Sequence, residues 1–282
     1  MCFMGNQPLT IPHTKTHRFE SKTNGVEYEL FVALPPEYQT SKSSYPVIFT
    51  TDPTFIFPIL CGVAKSLYPL IPESIIVGIG HTDLDFKELD EKGRNAKAEI
   101  HRARDFLPYK FAKSTRHFTH DNLDLETRII ESSGQAENFK DFITTELIPF
   151  IDKTYKTNSE RTLIGHSFGG IFTSFMMLKY PNFFQNYLVI SPILNFEDGL
   201  IFNEIIHLSK TAPIKIYFCA GSFESGYSTN KNFLADLKKF HDQINSSLNI
   251  TAKIEIFEDE YHCTVVPLAI SKGLRFLCKE DC

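Results

Sequence analysis

A serine stands between glycines at Gly165-His166-Ser167-Phe168-Gly169, where an apolar, strand-like run gives way to one with helical spacing. Three fixed positions of this kind arise by chance in about one chain in ten of this length, so the pentad alone decides little. Its chemistry would be nucleophilic; the alternative is a Gly-rich helix start with an N-capping serine. A serine hydroxyl attacks poorly at neutral pH. It needs a base to take its proton, an acid to orient that base, and N–H donors for the developing oxyanion.

Three histidines follow Ser167: His207, His241 and His262. The first two lie in helix-like stretches. His262 comes directly after "TAKIEIFEDEY", a strand-like run and its exit, which is where a base would hang over the serine. An acid between serine and histidine in chain order fits a nucleophile on an α/β sheet. Glu224, just past the strand-like "PIKIYFCAG", is the best placed, and Asp236, Asp259 and Glu260 are its rivals. One oxyanion N–H is expected from Phe168. The other is expected from the loop "TTDPTF", where Pro53 has no N–H and Thr54 is favoured. A titrating histidine base predicts a loss of activity on the acid side, around the ordinary imidazole value of about 6.5.

The elements that must position these groups are legible in outline. "THRFESKTNGVEYELFVALPP" holds two alternating runs around Asn24-Gly25 and predicts a hairpin. "YPVIFTTDP" and "SIIVGIG" are continuous apolar runs that suit strands buried on both faces, and "FIFPILCGVAKSLYP" between them suits a crossover helix. Residues 81 to about 132 are polar and charged, and predict a loop-like, cap-like excursion over one end of the sheet. Residues 136–155 read as an amphipathic helix bent or ended at Pro149. Strand-like and helix-like segments then alternate to the end. Antiparallel strands followed by repeated strand–helix units predict one α/β domain over residues 1–282, with a mixed, mostly parallel sheet and helices on both faces.

Bulk properties narrow the class. Hydrophobic residues make up 42% and charged ones 22%, which is enough for a sizeable core. The net charge of −5 and the lack of a long Lys/Arg run make nucleic acid and anionic membranes poor partners. No run approaches a membrane span, and the start does not read as a secretory signal. Six cysteines without C-x-x-C spacing, with Cys61 and Cys219 in apolar runs, suggest free thiols and a cytoplasmic location. Cys263 beside His262 lacks the elbow context of a thiol nucleophile. His117 and His120 are three apart but have no supporting cluster, so no metal and no cofactor is expected.

Several segments together resemble an esterase family of α/β-hydrolases that includes trilactone siderophore esterases, S-formylglutathione hydrolase and mycolyltransferases. They are "LFVALPPEY", "YPVIFTTDP", "RARDFLP", "SGQAENFKDFITTELIPFIDKTYKT", "LIGHSFGGIF", "YLVISPILNF" and "DEYHCTVVPLAISKGLRFL", in the family's order from about residue 16 to the end. The resemblance is greatest to the siderophore-esterase branch. It implies an α/β-hydrolase fold, Ser167 as nucleophile, His262 as base and Thr54 as an oxyanion donor. The acid varies among members, and some are Ser–His dyads. Arg102 and Arg104 match an Arg-x-Arg-Asp pattern; either could bind an anionic part of a substrate or pair with Asp105. Pro53 replaces the usual glycine, and Asn195-Phe196 stands where tryptophans are common, in a chain that has none. The expected function is a serine carboxylester hydrolase acting on a small-molecule ester, siderophore-like or with a small aromatic or acyl group. The alternatives are an acyltransferase and a non-catalytic binding protein on the same scaffold.

Overall fold

The computed structural model describes residues 10–82, 91–111, 123–210, 213–227, 232–247 and 249–279. Eight strands form one sheet: β1 (Thr14–Glu20), β2 (Glu27–Ala33), β3 (Tyr45–Thr51), β4 (Ile75–His81), β5 (Thr157–His166), β6 (Asn186–Ile190), β7 (Ile214–Gly221) and β8 (Ile250–Phe257). Their spatial order is β1-β2-β4-β3-β5-β6-β7-β8. β1 pairs antiparallel with β2, and β2 antiparallel with β4; every other pair is parallel. This is the mixed, mostly parallel sheet of an α/β-hydrolase. The hairpin turn passes through Gly25 at φ 69°, the left-handed region that glycine enters at least cost.

Helices cover both faces. α1 (Pro53–Leu67) crosses between β3 and β4, α2 (Glu91–Phe106) and α3 (Leu123–Ser132) follow β4, and α4 (Ala136–Asp141) and α5 (Ile148–Thr154) precede β5. After β5 come α6 (Phe168–Lys179), the short α7 (Phe196–Gly199), α8 (Glu224–Tyr227), α9 (Phe233–Ile244) and α10 (Val266–Leu277). The continuous apolar runs have their explanation here. In β4, Ile75, Val77 and Ile79 face the core beneath α2 and α6, while Ile76 faces the core beneath α1 and α10. Strands sandwiched this way need apolar residues at both parities of the pleat.

One expectation is corrected and one is narrowed. The 81–132 excursion is not loop-like throughout: α2 and α3 lie within it. Ala96, Ile100, Ala103 and Leu107, the last just past α2, recur at spacings of four, three and four and pack into the main core with Phe106, while charged and polar residues make up most of the remainder of α2. Pro149 does not end its helix. A π-helical turn over Phe142–Leu147 precedes it, with Ile148 N–H reaching the Ile143 carbonyl, and the helical path continues to Thr154. The wider turn accommodates a residue that has no N–H to donate and whose ring would crowd the preceding turn.

A buried polar knot fastens α2 to the sheet. The Asp105 carboxylate, 1% exposed, accepts from Arg104 Nε at 2.7 Å and Nη2 at 2.9 Å. It also accepts from His81 Nε2 at 2.8 Å and from the Tyr28 hydroxyl at 3.2 Å. Burial pushes this carboxyl up, but the Arg104 and His81 contacts outweigh it and hold the pKa down at about 2. A depressed carboxylate stabilises the fold above its unfolded value of about 3.9, and the contribution fades as pH falls toward 2. Asp105→Asn should therefore lower stability by about 3–5 kcal/mol at pH 7, the range for breaking a buried pair. The deficit should shrink below about pH 4. Urea midpoints of both proteins across pH 2–7 would measure this; a deficit independent of pH would count against it.

Candidate active site

β5 ends at His166 and α6 begins at Phe168, so Ser167 makes the turn alone. Its φ of 59° and ψ of −117° are sparsely populated for a residue with a side chain, and such strain collects at functional sites. The Ser167 N–H donates to the Ile190 carbonyl at 3.0 Å, which ties the elbow to the end of β6. The flanking glycines are required by space. A Cβ on Gly165 would lie 2.0 Å from the Gly169 carbonyl oxygen, and one on Gly169 would lie 2.2 Å from Thr51 Oγ1. Gly165→Ala is expected to destabilise by at least the ~1–3 kcal/mol typical of overpacking, because backbone and not a mobile side chain obstructs it. A denaturant midpoint equal to that of the unmodified protein would contradict this.

Glu224 opens α8 immediately beyond β7 and is 2% exposed. Its Oε1 accepts from the Gly221 N–H at 2.7 Å and from the Ser191 hydroxyl at 2.6 Å. Its Oε2 lies 2.7 Å from His262 Nδ1. With the proton on Nδ1, His262 Nε2 presents a lone pair, as a general base requires. His262 thus takes Glu224 as its partner and not its neighbours in sequence. Asp259 is exposed, with its N–H donating to Ser222 Oγ at 3.0 Å, and Asp236 lies on α9. Of the other histidines, His241 pairs with Asp242 at 3.0 Å, and His207 lies in a 3-10 segment over Leu200–Lys210.

Ser191 and His166 are site residues that sequence reasoning missed. Ser191 is fully buried at φ 45°, with its N–H donating to the Cys219 carbonyl at 2.8 Å, and this unusual backbone turns its hydroxyl onto Glu224. His166 Nε2 lies 2.7 Å from the His262 carbonyl oxygen, which can only accept, so Nε2 carries the proton. The two imidazoles face each other with centroids 4.5 Å apart. Burial above all, then the facing His262 and Arg102, holds the His166 pKa well below the ordinary imidazole value, against the pull of the carbonyl bond. His166 is therefore neutral, and it braces the backbone that carries His262. The only sequence signals were the Ile190-Ser191-Pro192 segment and the histidine inside the pentad.

The two expected oxyanion donors both lie at helix N-termini, where N–H groups lack intrahelical partners and the helix dipole favours negative charge. Phe168 is the first residue of α6. At α1, Asp52 is the cap in left-handed conformation, Pro53 brings no N–H, and Thr54 is the first donor and is exposed. The elbow abuts this loop, since a Cβ on Gly169 would also approach Asp52 Oδ2 to 3.3 Å. A cavity of about 430 Å³ opens beside it, lined by Thr54, Asp52, Arg102, Phe31 and Phe106 among others; Ser167 and His262 are outside its lining.

The structure engages both arginines internally. Arg104 forms the ion pair with Asp105 and does not line this cavity. Arg102 pairs instead with Asp52 at 2.8 Å. Among the described residues no group of three or more His, Cys, Asp or Glu could hold a metal ion, and His117 and His120 lie outside those residues. Cys61, Cys219, Cys263 and Cys278 are free thiols, with Cys219 buried, Cys61 half-buried and Cys263 exposed. Partial burial and then the Glu224 charge push the Cys263 thiol up, which leaves less thiolate and makes it a poor nucleophile. Among the described residues no helix is long and apolar enough to cross a membrane.

Comparison with known proteins gives a coherent picture. Residues 21–250 match the family described as "Putative esterase". The match stops short of His262, so the pairing of that residue with Glu224 is a finding of the structure. The ferri-bacillibactin esterase of Bacillus subtilis is 27% identical over 97% of this chain and 92% of its own length. Among solved structures, the BES protein from Bacillus cereus superposes with a TM-score of 0.81 at 23% identity, covering 98% of this chain and 100% of that one. Siderophore hydrolase EstB from Aspergillus nidulans gives 0.78 at 17% identity, with 97% of each chain covered. These structural likenesses establish a shared fold. A family match running from the hairpin turn to the start of the last strand goes further: the chain belongs to this esterase family and is a carboxylic ester hydrolase.

Proposed function

We propose that the protein hydrolyses a siderophore-like or small aromatic ester through an acyl-enzyme, with Ser167 as nucleophile, His262 as base and Glu224 as the orienting acid. The observation that carries this reading is the 2.7 Å contact between Glu224 and His262 Nδ1, with the His262 ring packed against His166, the residue before a serine held at a strained elbow. Ser167 Oγ attacks the ester carbonyl carbon while His262 Nε2 takes its proton. The Phe168 and Thr54 N–H groups hold the oxyanion. The imidazolium then protonates the departing alcohol as the carbon–oxygen bond breaks. A water gives its proton to the same imidazole and attacks the acyl carbon; the imidazolium then returns that proton to Ser167 Oγ as the acyl carbon–oxygen bond breaks, which frees the acid and the serine hydroxyl.

Two considerations support the substrate class. The relatives above are by name a ferri-bacillibactin esterase and a siderophore hydrolase. In addition, aromatic side chains rim the site of a chain without tryptophan. Phe223 and Tyr261, each one residue before a proposed triad member, are 43% and 48% exposed with ring centroids 4.8 Å apart. Phe55, 40% exposed, follows Thr54. Exposed rings at a catalytic rim suit stacking against a planar group. Free thiols accord with a cytoplasmic setting. Product analysis by mass on a trilactone siderophore, a simple aryl ester and S-formylglutathione tests the assignment. Preferential cleavage of the first is expected; cleavage of the thioester alone would overturn the substrate class.

A further inference from the structure

Arg102 contacts both loops that carry the expected oxyanion donors. Its Nε donates to Asp52 Oδ1 at 2.8 Å and its Nη2 to Asp52 Oδ2 at 3.3 Å. The same Nη2 reaches the His166 carbonyl at 3.4 Å, and the guanidinium carbon lies 5.3 Å from the centroid of the Phe168 ring. Asp52 is the cap of α1, two residues before Thr54; His166 is two residues before Phe168. One side chain from a third element, α2, therefore bridges the loops that carry the two expected donors.

The Asp52 loop needs such a tie. Asp52 adopts φ 52° and ψ 51°, a left-handed conformation that aspartate enters more readily than most residues but that still costs more than it would for glycine. The following residue is Pro53, whose fixed φ and missing N–H remove the local freedom and the donor a glycine would supply. The proline ring is wedged over β4, where a Cβ on Gly78 would lie 2.6 Å from Pro53 Cβ and one on Gly80 would lie 2.8 Å from Pro53 Cγ. The β4 side of the loop is thus held by packing, and the side toward the serine by the fork of Arg102. Its Nε and Nη2 are already engaged, which disfavours a role as an anion-binding substrate contact. α2 itself is fixed by Ala103 and Phe106 in the core and by the Asp105 knot next to Arg102 in sequence.

We propose that Arg102 is a positioning residue that sets the distance between the Thr54 and Phe168 N–H groups, and so the strength of oxyanion stabilisation. The proposal rests on the serine-hydrolase reading above. A planar fork with donors in fixed directions is what the two-loop geometry demands, and lysine, a single flexible point charge, does not supply it.

The test uses a neutral ester, so that no charge on the substrate can pair with Arg102, together with an aryl boronic acid that forms a tetrahedral anionic adduct on an activated serine. Arg102→Ala and Arg102→Lys should each lower kcat by about 100-fold with KM changed by less than about three-fold, since misplacing one oxyanion donor costs on that order. The boronate inhibition constant should weaken by a similar factor. Asp52→Ala should reproduce the loss, and the Asp52→Ala/Arg102→Ala double variant should be little worse than either single one, because the pair acts as a unit. Should Arg102→Ala fail to fold, Arg102→Lys gives the same reading with charge and stem retained. An unchanged kcat on the neutral ester, with KM raised only for anionic esters, would overturn the proposal in favour of a substrate contact. Additive losses in the double variant would also overturn it. Failure of the underlying reading looks different: the unmodified protein would then form no boronate adduct at all.

Discussion

Ser167→Ala is expected to abolish labelling by a fluorophosphonate and to lower ester hydrolysis by at least about 10³-fold, while leaving the fold intact. The effect is this large because the serine would carry the covalent step and no nearby group can replace it. Removal of a triad nucleophile typically costs ~10⁶ in kcat and leaves only the rate that the oxyanion donors and binding provide. The thiol next to His262, Cys263, is a poor substitute, because partial burial and then the Glu224 charge push its pKa up and leave less thiolate. The fold should survive, because alanine keeps the same Cβ at the elbow and the Ser167 N–H bond to Ile190 is a backbone contact. Intact mass after probe treatment is the readout, with the thermal midpoint as control. A single adduct on the unmodified protein that is absent from the variant supports the assignment. An adduct that persists would move the nucleophile elsewhere, and none on either folded protein would favour a binding protein on a hydrolase scaffold.

The parts of this site that could be read in sequence share a physical cause. In a parallel sheet every strand ends on the same side, so residues just past strand ends converge whatever their separation along the chain. Ser167, Glu224 and His262 follow β5, β7 and β8, and an apolar run followed by a polar or glycine-containing exit marks each of them. The contacts that escaped sequence reading depend on backbone conformation or on partners with no such landmark. Ser191 reaches Glu224 because of its positive φ, and the partner of the His166 ring is a carbonyl. Asp52 and Arg102 are fifty residues apart, one on a loop and the other on a helix whose inward stripe is narrow, with alanines at two of its positions and its one aromatic, Phe106, at its last residue. That narrow stripe also made α2 look like loop. Charged residues dominate its composition, and the periodicity is visible only when Ala96 and Ala103 are counted as apolar. At Pro149 the choice between a bend and an end was open for a different reason: proline argues against an α-helical ladder, but a π turn widens the ladder enough to let the helix pass through it.

Glu224→Gln separates a working triad from a Ser–His dyad, and the hydrogen bonds fix what the substitution must do. Oε1 accepts from two groups that can only offer protons in this arrangement, the Gly221 N–H and the Ser191 hydroxyl directed at it. A glutamine would keep its carbonyl oxygen there and turn its NH₂ toward His262 Nδ1. Facing a donor, Nδ1 must become the acceptor, so the proton moves to Nε2, and the nitrogen that should take the Ser167 proton is already protonated. Loss of the carboxylate charge also removes the stabilisation of the imidazolium formed in each step. The expected result is a fall in kcat of about 10³–10⁴-fold with KM within a few-fold, the signature of an interaction that matters in the transition state. Glu260→Gln, two residues from His262 but not its partner, should stay within about three-fold of the unmodified rate. A loss under about ten-fold for Glu224→Gln would mean that the imidazole works without its acid, and the 2.7 Å contact would then be structural.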